Sequence, residues 1–150
     1  GYADAQFHLA QLYETGKVVD LDYQQAATWY RLAVDQGHAK AQYQLGLMFQ
    51  EGRGAPQNYH QAAALFSRAA EQGHTQAQYC LASLYQQGVG VPQDNQQAYV
   101  WSSLAVASGC RLPEAQALRD NMAKQLNAAQ LMEAQREATL FFEQWQGQAG

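Results

Sequence analysis

An all-α fold of tandem helical hairpins is what this sequence predicts, and three observations predict it. The chain of 150 residues repeats one 36-residue unit three times without a gap, over residues 3–38, 39–74 and 75–110. "DQGHAKAQYQLGLMFQEG" at 35–52, for example, returns as "EQGHTQAQYCLASLYQQG" at 71–88. Apolar residues recur inside each unit at helical spacing. Alanine and glutamine abound while only three prolines occur, a balance that favours helix.

The first helix of each unit is predicted over 3–14, 39–50 and 75–87. Ala5, Ala41 and Ala77, then Leu9, Leu45 and Leu81, then Leu12, Met48 and Leu84 fall at i, i+4 and i+7 and form a core stripe. Small residues beside it (Ala10, Gly46, Ala82) allow close helix approach, and Tyr13, Phe49 and Tyr85 fill the space beyond. Gly16, Gly52 and Gly88 end these helices. A short loop follows, with Val18 in the first copy where Gly54 and Gly90 stand.

Asp22, Asn58 and Asp94 come next, each followed three residues later by glutamine (Gln25, Gln61, Gln97), the capping-box pattern. Second helices are therefore predicted over 22–36, 58–72 and 94–108. Their apolar positions are Ala26, Ala62 and Ala98; Trp29, Leu65 and Trp101; and Ala33, Ala69 and Ala105. Trp29 and Trp101 are both expected to be largely buried. Gly37, Gly73 and Gly109 close the units, and His38 and His74, directly after two of these glycines, read as turn or cap partners.

Beyond residue 110 the period slips. Helices are predicted over 113–126, with the stripe Leu118, Met122 and Leu126, and over 128–145, where Asn127 and Gln130 repeat the capping signal. Leu131, Ala134, Ala138 and Phe142 should face inward, making 111–146 a C-terminal capping pair in a single solenoid domain of residues 1–150. The front end shows no such cap, which raises the expectation of a further segment upstream.

Several function classes fall away. Hydrophobic residues at 47% against 15% charged exclude a disordered chain. With a net charge of −4 and no cluster of Lys or Arg, nucleic acid is not an expected partner. No apolar run reaches the length of a membrane span. Cys80 and Cys110 lack metal-ligand spacing and read as two unpaired thiols, with a disulfide between them as the alternative; no metal or cofactor is expected. The GxG loops have no preceding strand and no following Lys-Ser/Thr, so they are architecture rather than a phosphate cradle. Glu133, Arg136 and Glu137 read as a solvated helix face. No catalytic constellation emerges.

The informative positions change between copies while flanking the invariant stripe. On the first helices they are Asp4, His8, Gln11 and Thr15; Lys40, Gln44, Leu47 and Glu51; and Gln76, Cys80, Ser83 and Gln87. They run i, i+4, i+7, i+11 on the flank beside the core stripe.

"AKAQYQLGLMFQEGRGAPQNYHQAAALFSRAAEQGH" resembles a Sel-one-like repeat, the SLR branch of the tetratricopeptide superfamily. That resemblance implies an α-solenoid adaptor, non-enzymatic, monomeric or stacking end to end, that holds a protein or peptide along its concave face. It implies, too, that first helices line the concave side, which makes the varying flank positions its candidate groove floor, with Lys40, Gln44 and Leu47 at the centre. It also implies bacterial envelope, secretion or host-interaction contexts, without fixing a compartment. Cysteine-rich relatives suggest an alternative, a cell-wall-related or β-lactam-binding enzyme, which would have to pair Cys80 with His8 or His74. A purely structural piece of a longer repeat protein is the third alternative.

Overall fold

The computed structural model describes residues 2–17 and 20–149; Val18 lies outside the described residues. Eight α-helices and no strand occur among them: α1 (Tyr2–Thr15), α2 (Tyr23–Val34), α3 (Ala39–Glu51), α4 (Tyr59–Glu71), α5 (Thr75–Gln87), α6 (Asn95–Ala107), α7 (Pro113–Gln125) and α8 (Ala128–Ala149). The all-α expectation holds, with helix ends within about two residues of those predicted except at α8, which continues past 145 to Ala149. The chain divides into two compact units, residues 1–69 and 70–150, the boundary falling in the last turn of α4.

Glycine sets the helix ends. Gly52 and Gly88 cap α3 and α5 in left-handed conformation (φ 71° and 70°), and their amides return to the carbonyls of Met48 and Leu84. Asp22, Asn58 and Asp94 each accept the amide of the glutamine three residues on, at 3.1 Å. The reciprocal half of the expected capping box is replaced. The amides of these three cap residues donate instead to the carbonyls of Tyr13, Phe49 and Tyr85, at 2.9–3.0 Å, which fastens each hairpin closed. Among the described residues both halves form only at Asn127 and Gln130, at 2.8 and 3.1 Å. There the helix starts directly after α7, without a preceding loop to supply a carbonyl.

In the first unit α2 packs against α1 and α3. Phe7, Ala10, Ala26, Ala27, Tyr30, Ala33, Leu45 and Met48 form the core. The Tyr30 hydroxyl, from a fully buried residue, donates to Glu14, and Arg53 stands 3.5 Å from Glu14 and 2.6 Å from Glu51 while lying 5.3 Å from the Tyr23 ring centre. Several core expectations change here: Leu9 and Leu12 are half-buried, unlike Leu45, Leu81, Met48 and Leu84 at the same repeat positions. Ala5 is exposed although Ala41 and Ala77 are fully buried. Trp29 is only half-buried at the edge of the core, whereas Trp101 is 4% exposed.

The second unit explains that contrast. α6 is packed by α5, α7 and α8 and is apolar all round, burying Ala98, Tyr99, Val100, Trp101, Leu104 and Ala105. Gln97 bonds Glu137 at 3.2 Å and Trp101 meets Phe141 with ring centres 5.2 Å apart, so α8 lies along α6 in the same direction. Farther on, the Trp145 indole donates to the Glu71 carbonyl at 2.8 Å. Glu137 is thereby half-buried rather than solvated, while Glu133 and Arg136 are exposed as expected. Of the predicted α8 stripe, Ala134 is buried. Leu131, Ala138 and Phe142 are half-buried, as are Phe141 and Trp145, whose ring centres lie 5.9 Å apart. On α7, Leu118 and Met122 are buried, and Leu126 is a half-buried, extended C-cap.

Candidate functional site

In the first unit α1 and α3 carry eight of the twelve candidate groove positions. Several of these side chains are spent within the fold. Asp4 lies 2.7 Å from His38 Nε2, and this hydrogen bond holds its carboxyl below the usual carboxylate range. His38 Nδ1 accepts the Ala41 amide at 3.1 Å, so His38 is the N-cap of α3, as a turn-or-cap histidine should be, and Phe7 stacks on its ring. His8 and Gln11 meet at 3.3 Å, the Thr15 hydroxyl donates to the Gln11 carbonyl at 2.9 Å, and Glu51 pairs with Arg53.

Three positions remain. Lys40 is exposed, Gln44 and Leu47 are half-buried, and among the described residues no side-chain hydrogen bond or ion pair engages Lys40 or Gln44. All three stand at i, i+4 and i+7 on α3, directly beside the buried Ala41, Leu45 and Met48. The patch offers one ammonium, one amide and one isobutyl group on a rigid helix.

In the second unit the corresponding side chains are Gln76, Cys80, Ser83 and Gln87 on α5. Gln76 is exposed and lines a cleft of about 480 Å3 with Thr75, Cys110 and Arg111. Gln87 donates to the Ser83 hydroxyl at 3.3 Å. Cys80 and Cys110 are half-buried, and no disulfide joins them. His74 caps α5 through Nδ1, 3.2 Å from the Ala77 amide, repeating His38. Among the described residues no group of three His, Cys, Asp or Glu side chains is placed to hold a metal ion, and no helix is long and apolar enough to cross a membrane.

One recurring polar residue escaped the sequence reading. Gln6, Gln42 and Gln78 are 9%, 1% and 0% exposed, buried beside the apolar stripe. Gln78 donates to the Ala70 carbonyl at 3.2 Å, and the Gln6 carbonyl oxygen accepts from Gln36 at 2.5 Å. Burial of a side-chain amide requires hydrogen-bond partners, and Gln78 finds one in a carbonyl of the last turn of α4. Its signal was available: a polar residue identical in all three copies, next to Ala5, Ala41 and Ala77.

A family model described as "Sel1 repeat" matches residues 3–38, 39–74 and 75–110. Among solved structures, a Sel1 repeat protein from Oxalobacter formigenes is 32% identical with a TM-score of 0.78, covering 82% of this chain and 50% of its own. A protective antigen present in uropathogenic Escherichia coli strains, displaying an SLR fold, is 28% identical with a TM-score of 0.68, covering 98% of this chain and 39% of its own. The chain thus spans half the length or less of either protein. No curated protein matches it in sequence.

Proposed function

The chain belongs to the Sel1 repeat family, and from that premise we propose that it is a non-enzymatic interaction module holding a peptide or a partner helix on the first-helix flank. One observation carries the reading. Lys40, Gln44 and Leu47 form a contiguous stripe on α3 whose polar ends are not engaged by the fold, while their neighbours Asp4, His8, Gln11 and Glu51 are. Leu47 supports it further. Its repeat counterparts are Gln11 and Ser83, so packing does not demand a leucine there. An apolar side chain beside an amide and an ammonium is the composition of a small hot spot, in which the leucine supplies affinity and the polar pair fixes register. The enzymatic alternative is weakened by His74, whose Nδ1 lone pair is committed to the α5 amide and is unavailable as a base from that nitrogen.

Peptides selected from a random library on the immobilised protein test the reading. The Leu47→Asp, Gln44→Ala double variant should keep the wild-type melting curve and bind those peptides about 1–3 kcal/mol more weakly. Peptides that bind both proteins equally would place the recognition surface elsewhere.

A further inference from the structure

The contacts between α6 and α8 define a second surface, wholly inside the second unit and independent of the α3 flank. Gln97 meets Glu137 and Trp101 meets Phe141, so two helices run side by side in the same direction with a constant offset along the chain. Beside that seam they leave an open trough of about 570 Å3. Tyr99, Ser103 and Ala107 (i, i+4, i+8 on α6) form one wall; Ala138, Phe142 and Glu143 on α8 belong to the other.

Three features give the trough a chemistry. Its walls are mainly apolar and aromatic, from Tyr99, Ala107, Ala138 and Phe142. The Ser103 hydroxyl is buried and has no hydrogen-bond partner. The Tyr99 carbonyl, the acceptor one helical turn back, already takes a bond from Ser102. At the rim Glu143 is exposed, and no ion pair or hydrogen bond engages its carboxylate among the described residues. Two parallel helices with an apolar floor make the groove into which a third helix packs. A free carboxylate beside aromatic rings selects a side chain that is apolar along its stem and cationic at its tip.

We propose that the α6–α8 trough is a docking site for a short amphipathic helix carrying lysine or arginine beside its apolar stripe. The apolar stripe would lie over Ala107, Ala138 and Phe142, and one cation would reach Glu143. Alone among the trough's residues Glu143 carries a charge, so it decides the sign of the partner.

The probe is a fluorescein-labelled synthetic helix of leucine and lysine, about four turns long, beside the same peptide with glutamate in place of lysine. Fluorescence anisotropy with the whole chain should show the lysine peptide binding at least about tenfold more tightly than the glutamate peptide. Ala107→Trp fills the trough from an exposed position and should lower affinity at least about tenfold. Glu143→Gln should lower it about three- to tenfold, while Glu133→Gln, exposed on α8 outside the trough, should not change it. Alanine-methyl NMR should shift Ala107 and Ala138 and leave Ala5 unmoved. Equal losses from Glu133→Gln and Glu143→Gln would reduce the effect to general attraction by an acidic chain and overturn the proposal. So would an Ala107→Trp protein that binds normally, or absence of binding to the wild type.

Discussion

His38 holds Asp4 at 2.7 Å through Nε2 while its Nδ1 caps α3, so one imidazole ties α3 to α1. Because Nδ1 is an acceptor, the ring proton sits on Nε2 and points at the carboxylate, which favours ionised Asp4. Its folded pKa is therefore depressed below the ordinary 3.8. A depressed carboxyl contributes stability above its unfolded pKa and loses it as pH falls through the folded value. The margin of wild type over Asp4→Asn should be steady near neutral pH and close as pH falls below 3.8. Urea unfolding at about pH 6 and about pH 2 measures it. A margin unchanged at the lower pH would mean that the charge is not what links the helices.

Tyr30 gives an alkaline counterpart. Burial and the bond to Glu14 both push its phenol far above 10.0, so the folded state keeps the proton that the unfolded chain releases. Its contribution is complete below pH 10.0 and declines as pH rises further. Tyr30→Phe keeps the ring volume, as Phe66 does at the same repeat position, and should cost about 1.5–3 kcal/mol at neutral pH for a lost bond to a charged acceptor. The gap to wild type should narrow above pH 10.0, read by urea unfolding beside a tyrosinate absorbance titration. A constant gap would assign the loss to packing.

Gly54 and Gly37 separate backbone strain from crowding. Both have positive φ, 75° and 80°, but a Cβ on Gly54 would lie 2.4 Å from the Tyr23 carbonyl oxygen, whereas Gly37 has nothing within 4 Å. Gly37→Ala should cost about 1–2 kcal/mol from its left-handed backbone alone. Gly54→Ala adds a clash that backbone atoms cannot rotate away from, and should cost about 1–3 kcal/mol more. Equal urea midpoints for the two variants would mean the loop shifts freely.

What the sequence made legible was whatever the chain repeats. Three copies of the same stripe, glycine and cap gave six helices and their order, since each copy serves as a control on the others. Gln42 and Gln78 were missed because an apolar stripe defines the core without them, although a polar residue identical in every copy is itself a sign of burial. The course of α8 was missed for the opposite reason: it happens once. Yet α6 carried a trace of it. Val100 and Leu104 stand where α2 has Thr28 and Leu32 and α4 has Ala64 and Arg68, and Thr28, Leu32, Ala64 and Arg68 are all exposed. Of the candidate groove, the helical spacing was readable, but not that Asp4 and Glu51 are consumed by His38 and Arg53, since those contacts join residues on separate elements or across a turn.

That difference between the second helices yields the sharpest test of the α8 packing. Leu104 is 2% exposed beneath α8, whereas Leu32, its counterpart on α2, is 41% exposed. Arg68 on α4 shows that the fold accepts a guanidinium at this repeat position when no helix covers it. Leu32→Arg should therefore change stability by no more than about 0.5 kcal/mol. Leu104→Arg must either displace α8 or give up the buried packing of Leu104 to reach Glu143 across the trough, and should cost about 2–5 kcal/mol. Displacement has its own signature, because it would open the Trp101–Phe141 contact and free the Trp145 indole from the Glu71 carbonyl. Tryptophan emission should then shift to the red and α8 should become the first site of limited proteolysis, with the rest of the helical signal retained. If Leu104→Arg unfolds in urea at the same midpoint as Leu32→Arg, α8 does not cover α6 in solution, and the trough between them goes with it.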